Sequence, residues 1–220
     1  MPGASLHDWC SSSTTRSPTW YSEPSIGFDR VVQHAVVHAA ASSAKQVDSG
    51  SLLVFLPGMA EIRGVERMLL NAGLEPTIHI MPLHGDLPAE TQDAAIAPSP
   101  PGTRKVVLAT SIAETSLTID GIRIVIDGGL LRVPRFDPRS GLTRLETIRI
   151  TQDSAEQRRG RAGRVESGIC YRLWTEHEQA GLAPHRPPEI LQADLAPLLL
   201  DLAHWGTTDP SELSWLDLPP

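Results

Sequence analysis

The chain has 220 residues, 40% hydrophobic and 20% charged, with a net charge of -7, which suits one globular core with a small appendage. The apolar run Leu52–Leu56 is far too short to span a bilayer, and the N-terminus lacks the basic-then-apolar pattern of a secretory signal, so a cytoplasmic location without a membrane partner is expected. Two cysteines, Cys10 and Cys170, exclude a disulfide framework, and no CxxC pair or His/Cys cluster points to a metal.

Residues 1–25 read as a disordered or non-native tail, since thirteen of the twenty-five are Ser, Thr or Pro. Val31, Val32, Ala35, Val36 and Ala39 then give a helical apolar stripe. Leu52–Leu56 reads as a short buried strand. Pro57-Gly58 follows, then a helix with Ile62, Val65, Met68 and Leu69 inward that ends at Asn71-Ala72-Gly73. A strand over 77–83, a short helix near 88–96, and strands at 105–109 and 122–126 continue the alternation. Strands apolar on both faces, alternating with helices, imply an α/β fold with a parallel sheet covered on both sides.

After Asp127-Gly128-Gly129 the pattern becomes antiparallel. "LLRVPRF" and "TRLETIRI" flank the turn sequence Asp137-Pro138-Arg139-Ser140-Gly141, which predicts a hairpin extension. A helix at 157–164, a strand at 169–174 and a short helical C-terminal segment over 191–205 complete the chain. The abrupt stop at Pro219-Pro220 suggests a region that continues elsewhere.

Charge is concentrated. Residues 132–164 hold nine Arg against four acids, while 165–220 hold nine acids against two Arg. So local an excess argues for a specific anion site rather than a broad nucleic-acid-coating surface. Its densest part is "QRRGRAGR", residues 157–164. Gln157, Arg161 and Arg164 stand at i, i+4 and i+7, one face of a helix. Gly160 and Gly163 inside that helix would cost about 1 kcal/mol each relative to Ala, which close approach of a ligand or backbone would offset. Planar guanidinium groups bind phosphate bidentately. The alternative is a solvated basic helix paired with the acidic C-terminal segment. Arg158 and Arg159 fall off the shared face and are expected to make surface or hairpin contacts.

The motif "QRRGRAGR" resembles motif VI of superfamily 2 helicases of the DEAH/RHA branch. "ATSIAETSLTIDG" (109–121) is similar to motif V, "LLVFLPGMAEI" (52–62) to motif IV, and "PLHGDLPAETQ" (82–92) to the segment between them. The hairpin and the stretches "PPEILQADLAPLLLDLAHWG" and "DPSELSWLDLPP" resemble those of bacterial members. The likeness runs from about residue 28 to 220, in the family's order. No GxxxxGK[ST] phosphate loop and no Asp-Glu-x-His occurs in the sequence. In the family both lie on a first RecA-like domain, here the missing partner. The resemblance therefore implies a second RecA-like domain over 26–175 and the start of a winged-helix region over 176–220.

It also implies roles. Arg161 would be the arginine finger on the γ-phosphate of ATP. Arg164 would contact phosphate or ribose, and Gln157 would hold the γ-phosphate or the attacking water. Asp120 would bind ribose hydroxyls, and Ile96 stands where an adenine-stacking aromatic is usual. Ser116 and Gly85 would sense nucleotide. Thr110, Ser111 and Gly58 would meet RNA phosphates, although "TSIAET" also reads as an ordinary helix cap. Magnesium ligands are expected on the missing first domain. His84 reads as a plain surface histidine, and the hairpin either wedges strands apart or is simply solvated. The function expected is the C-terminal motor portion of an ATP-dependent RNA helicase. The alternatives are a truncated, non-catalytic nucleic-acid-binding or regulatory module, and a DNA-directed helicase.

Overall fold

The computed structural model describes residues 50–115, 117–162, 167–207 and 209–220, residues 37 and 40, and the backbone of 10–12 and 19–21. Its body is a parallel sheet of five strands: β3 (Ser51–Phe55), β4 (Ile78–Leu83), β5 (Arg104–Ala109), β6 (Ile122–Asp127) and β9 (Ile169–Arg172). Their order across the sheet is β4-β5-β3-β6-β9, all parallel. Two three-residue strands, β1 (Cys10–Ser12) and β2 (Thr19–Tyr21), extend the edge beyond β9, with β2 parallel to it and β1 antiparallel to β2. They stand within the stretch expected to be a tail. Strand β9 offers an unpaired row of N–H and C=O groups there, and Thr-Trp-Tyr are good strand formers.

Alternation along the strands feeds two cores. Leu52, Val54, Val106, Leu108, Ile124 and Ile126 face one side, where Ile62, Val65 and Leu69 of α1 (Met59–Asn71) cover them. Leu53, Phe55, Val107, Ala109 and Val125 face the other, against Ala95 of α2 (Ala89–Ile96) and Ala113 of α3 (Ile112–Thr115). Each fully buried Leu, Ile or Phe contributes about 1.5–3 kcal/mol. Both faces are paid in apolar side chains, so the strands could not show the polar alternation of a half-exposed sheet. Val37 and Ala40 are helical and join the first core. The stripe residues Val31, Val32, Ala35, Val36 and Ala39 lie outside the described residues.

Strands β7 (Leu130–Asp137) and β8 (Leu142–Arg149) form the expected antiparallel hairpin. Asp137 makes its turn, accepting from the Arg139 N–H at 3.0 Å and the Ser140 hydroxyl at 2.9 Å, while Gly141 takes a φ of 65°. Every residue of β8 but Ile148 is exposed, so the ribbon stands off the body. Its base is rooted through Leu131, Val133 and Ile150 packed with Ala155, Trp174 and Leu182, and nearer its tip the Phe136 N–H donates to Gln192 O at 3.2 Å.

Two expected helices have other bounds than the sequence suggests. Helix α4 (Gln152–Arg159) stops at Gly160, and the chain continues in a tighter turn, with the Arg161 N–H bonded to Arg158 O at 3.1 Å and that of Ala162 to Arg159 O at 3.0 Å. Gly160 is therefore a terminus and not an interior helix residue, and the penalty expected for it does not arise. After the small helix α5 (Glu176–Ala180), the C-terminal helix α6 (Ala196–Trp205) begins five residues beyond Leu191. Pro197 lies in its first turn and cannot sit deeper in a helix, because it lacks an N–H and clashes one turn back. Residues Glu189–Leu191 form a separate 3-10 turn. No helix among the described residues is long and apolar enough to cross a membrane.

Gly168 locks the turn after α4 to the sheet. A Cβ there would lie 1.9 Å from Ala162 O and 2.5 Å from Arg123 O. Both neighbours are backbone, so no side-chain rotation relieves the clash. Gly168→Ala is expected to cost at least about 3 kcal/mol, the upper end of overpacking penalties. Urea unfolding followed by circular dichroism measures this, and a midpoint equal to that of the parent chain would contradict the packing described.

Candidate functional site

Parallel strands β3, β4, β5 and β6 all point their C-terminal ends to one edge, where ligands bind in open α/β sheets. The loops leaving this edge carry Gly58, Gly85, Thr110 and Ser111. Gly58 is buried and extended, at φ -168° and ψ -179°, just before α1. A Cβ on it would meet Arg132 Nη1 at 2.4 Å, and that guanidinium donates to Glu61 at 2.9 Å. Gly58 thus lets the hairpin close onto α1. Gly85 is exposed, with open space where a Cβ would stand. His84, expected at the surface, is buried at 8% exposure. Its loop folds back on it, with Leu87 N–H donating to His84 O at 3.2 Å and Gln92 tying down Leu87 O at 2.8 Å. Thr110 and Ser111 are half-buried, and their carbonyls accept the first backbone bonds of α3, from Ala113 at 3.3 Å and Glu114 at 2.9 Å.

A second group gathers where α3 meets α4. Gln157, Gly160 and Arg161 share an open cleft of about 290 Å³ with Glu114 and Thr115. Gln157 is exposed, whereas Arg161 is 9% exposed. The Arg161 guanidinium donates from Nη1 to Leu117 O at 2.7 Å and from Nη2 to Glu114 O. These two bonds tie the end of α3 to Leu117. The expected third member, Arg164, lies outside the described residues, as does Ser116. Asp120 is exposed, and its charge acts on the buried Lys105. Burial lowers the pKa of Lys105 and Asp120 opposes that shift. The Lys105 amine caps the end of α2, donating to Ala95 O at 2.7 Å and to Ala97 O. Ile96, beside these carbonyls, is half-buried against the second core.

Arg158 corrects the sequence reading. Expected to make surface or hairpin contacts, it is 1% exposed, and it touches the hairpin only at its root, donating to Leu130 O at 3.4 Å. Nε donates to Glu114 Oε2 at 2.9 Å, and Nη1 to Asp127 Oδ1 at 2.8 Å. The guanidinium carbon stands 4.7 Å from the Phe55 ring centre. Glu114 also accepts from the Ser154 hydroxyl at 2.7 Å, and Asp127 from the Gly129 N–H at 2.9 Å. Burial disfavours the charge on Arg158, but Asp127 and Glu114 outweigh it and hold the guanidinium protonated. Sequence reasoning missed this trio of Glu114, Asp127 and Arg158. A signal was present: Ala155 and Ala162, both small, bracket Arg158 at i-3 and i+4 and mark an inward face.

Much of the basic excess is therefore internally paired. Arg132 meets Glu61, Arg135 meets Glu146, Arg149 meets Glu178 and Arg159 meets Glu156, at 2.5–2.9 Å. Among the described residues no group of three His, Cys, Asp or Glu side chains is placed to hold a metal ion. The donor set around the cleft instead suits an anion.

The fold is a RecA-like parallel sheet with an arginine-bearing cleft at the α3–α4 junction. The profile of the helicase conserved C-terminal domain matches residues 33–166. The chain is 52% identical over 186 residues to the ATP-dependent RNA helicase HrpB of Escherichia coli (strain K12), covering 84% of this chain and 23% of that protein. It is 43% identical over 174 residues to the probable ATP-dependent RNA helicase DHX34 of Homo sapiens, covering 79% and 15%. The crystal structure of the Escherichia coli DEAH/RHA helicase HrpB superposes with a TM-score of 0.83 at 49% identity, over 92% of this chain and 25% of that one. The chain belongs to the helicase conserved C-terminal domain family, in its DEAH/RHA branch. It spans no more than a quarter of these relatives' length.

Proposed function

We propose that this chain is the second motor lobe of an ATP-dependent RNA helicase, contributing one wall of the ATP site and one stretch of the RNA track. The observation that carries the reading is the cleft in which Gln157 and Arg161 stand beside the motif V loop. Carbonyl dipoles at Glu114 and Leu117 orient the Arg161 guanidinium. Orientation fixed before the reaction is what transition-state stabilisation by an arginine requires. In this reading Arg161 neutralises charge that develops on the γ-phosphate during transfer. Gln157, exposed on the same wall, orients the γ-phosphate or the attacking water. Arg164 contacts phosphate or ribose, Asp120 binds ribose hydroxyls, and Ile96 packs on the base. Ser116 and Gly85 sense the nucleotide.

Magnesium bound with ATP would help neutralise the phosphate charge, and the residues that would hold it are expected on the opposing lobe. Residues 26–175 form the motor lobe, and 176–220 begin the region that follows it. At the strand ends, Thr110, Ser111 and Gly58 meet RNA phosphates, holding a strand in place without reading its bases. A lobe of this kind completes the site only when the two lobes close, so hydrolysis reports on RNA-driven closure.

The test compares the 220-residue chain with a chimera in which residues 33–220 replace the matching segment of Escherichia coli HrpB. The chain alone is expected to release no phosphate from ATP above buffer. The chimera is expected to hydrolyse ATP with stimulation by RNA. A folded chimera that binds ATP but never turns it over would instead identify a non-catalytic module.

A further inference from the structure

Glu114 poses a problem for a phosphate cleft. Its residue forms part of the wall beside Arg161, and a bare carboxylate there would repel a polyphosphate and compete for the guanidinium. Behind the wall, Arg158 donates to that carboxylate at 2.9 Å and to Asp127 at 2.8 Å. Arg158 is 1% exposed, so an anion in the cleft cannot reach it. It acts on the cleft only through Glu114.

We infer that Arg158 is a positioning residue that sets the charge of the cleft: by neutralising Glu114 it lets a polyphosphate approach Arg161. The inference rests on the reading of the cleft as a phosphate site. Three features of the geometry carry it. The planar fork of Arg158 reaches two carboxylates on different elements, one on α3 and one at the end of β6. Lysine, a point charge, cannot bridge both in that way. The Phe55 ring, 4.7 Å from the guanidinium carbon, lies against the group and favours this one placement. Ser154, four residues before Arg158, donates to the other Glu114 oxygen at 2.7 Å, so both oxygens are held by α4. The carboxylate is thereby bound to the same helix that carries Gln157, and is turned from an obstacle into a brace for the cleft.

The experiment titrates the 220-residue chain with inorganic tripolyphosphate, followed by NMR of backbone amides and arginine Nε–H groups. Thermal unfolding of each variant is recorded separately. Arg158→Lys keeps one positive charge, but as a point charge it can pair with Asp127 alone and leave Glu114 unneutralised. It is expected to weaken tripolyphosphate binding about tenfold, the value of roughly one charge-assisted hydrogen bond. Adding Glu114→Gln to Arg158→Lys is expected to restore affinity to within about threefold of the parent chain, because the repelling charge is gone although the brace stays broken. Arg158→Lys binding as well as the parent overturns the inference. So does a double variant as weak as Arg158→Lys, since a purely structural role would not be rescued by removing a charge. Should Arg158→Lys fail to fold, Glu114→Gln alone decides. A gain below about threefold is expected if Arg158 already neutralises the carboxylate, and a tenfold gain overturns the idea. Absence of binding by the parent chain would overturn this role, while RNA-stimulated turnover by the chimera decides the cleft reading separately. Binding that Arg161→Gln abolishes but Arg158→Lys leaves intact would remove the role of Arg158 alone.

Discussion

Arg158→Ala is expected to lose about 3–5 kcal/mol of stability, the cost of breaking a buried ion pair by deleting one partner. Glu114 and Asp127 would remain at 5% and 0% exposure with their guanidinium gone. Native domains are stable by only about 5–15 kcal/mol, so the loss is a large fraction of the total. The comparison is Arg159→Ala, one residue along the same helix. Arg159 pairs with Glu156 at 2.5 Å, but both side chains are partly exposed, and such a pair contributes about 0–1 kcal/mol. Urea unfolding of the two variants, followed by far-UV circular dichroism, separates them. Equal midpoints would show that the buried trio contributes no more than a surface pair.

Arg161→Ala is expected to act on chemistry instead. In the two-lobe chimera, the role proposed for Arg161 requires RNA-stimulated ATP turnover to fall by about 10³-fold or more, the loss that removal of an arginine finger causes. ATP binding should stay nearly intact, because the finger's contact forms mainly as charge develops in transfer. The same guanidinium also bonds to Glu114 O and Leu117 O, so losing it breaks the tie between the end of α3 and Leu117. Arg161→Lys distinguishes the two effects. It keeps the charge but cannot bridge both carbonyls in the arginine geometry. If Arg161→Lys turns over as slowly as Arg161→Ala while both bind ATP and melt like the parent chimera, orientation by those carbonyls matters as much as charge. Normal turnover by Arg161→Ala would remove the residue from the catalytic site.

The α/β alternation and the hairpin were legible in the amino-acid sequence. Strands such as "LLVFL" and "IRIVI" must hide both faces, and only a covered parallel sheet does so. Asp137 and Gly141 dictate a turn through local chemistry alone: a carboxylate that caps nearby N–H and O–H groups, and a residue that tolerates positive φ. Gln157 and Arg161 do share a wall, but the helix expected to align them stops at Gly160, and the tighter turn that follows brings Arg161 there. Tertiary structure decided the rest. Helical spacing set Arg158 apart from Gln157 and Arg161, yet it could not say whether that other face met water or protein. Asp127 and Glu114, 31 and 44 residues away in the chain, are brought to Arg158 by the sheet and by α3. Only that convergence lets a charge that favours solvent by several kcal/mol sit in the interior. His84 was misread for the same reason: exposure belongs to the assembled loop, and no local pattern in "PLHGDL" encodes it.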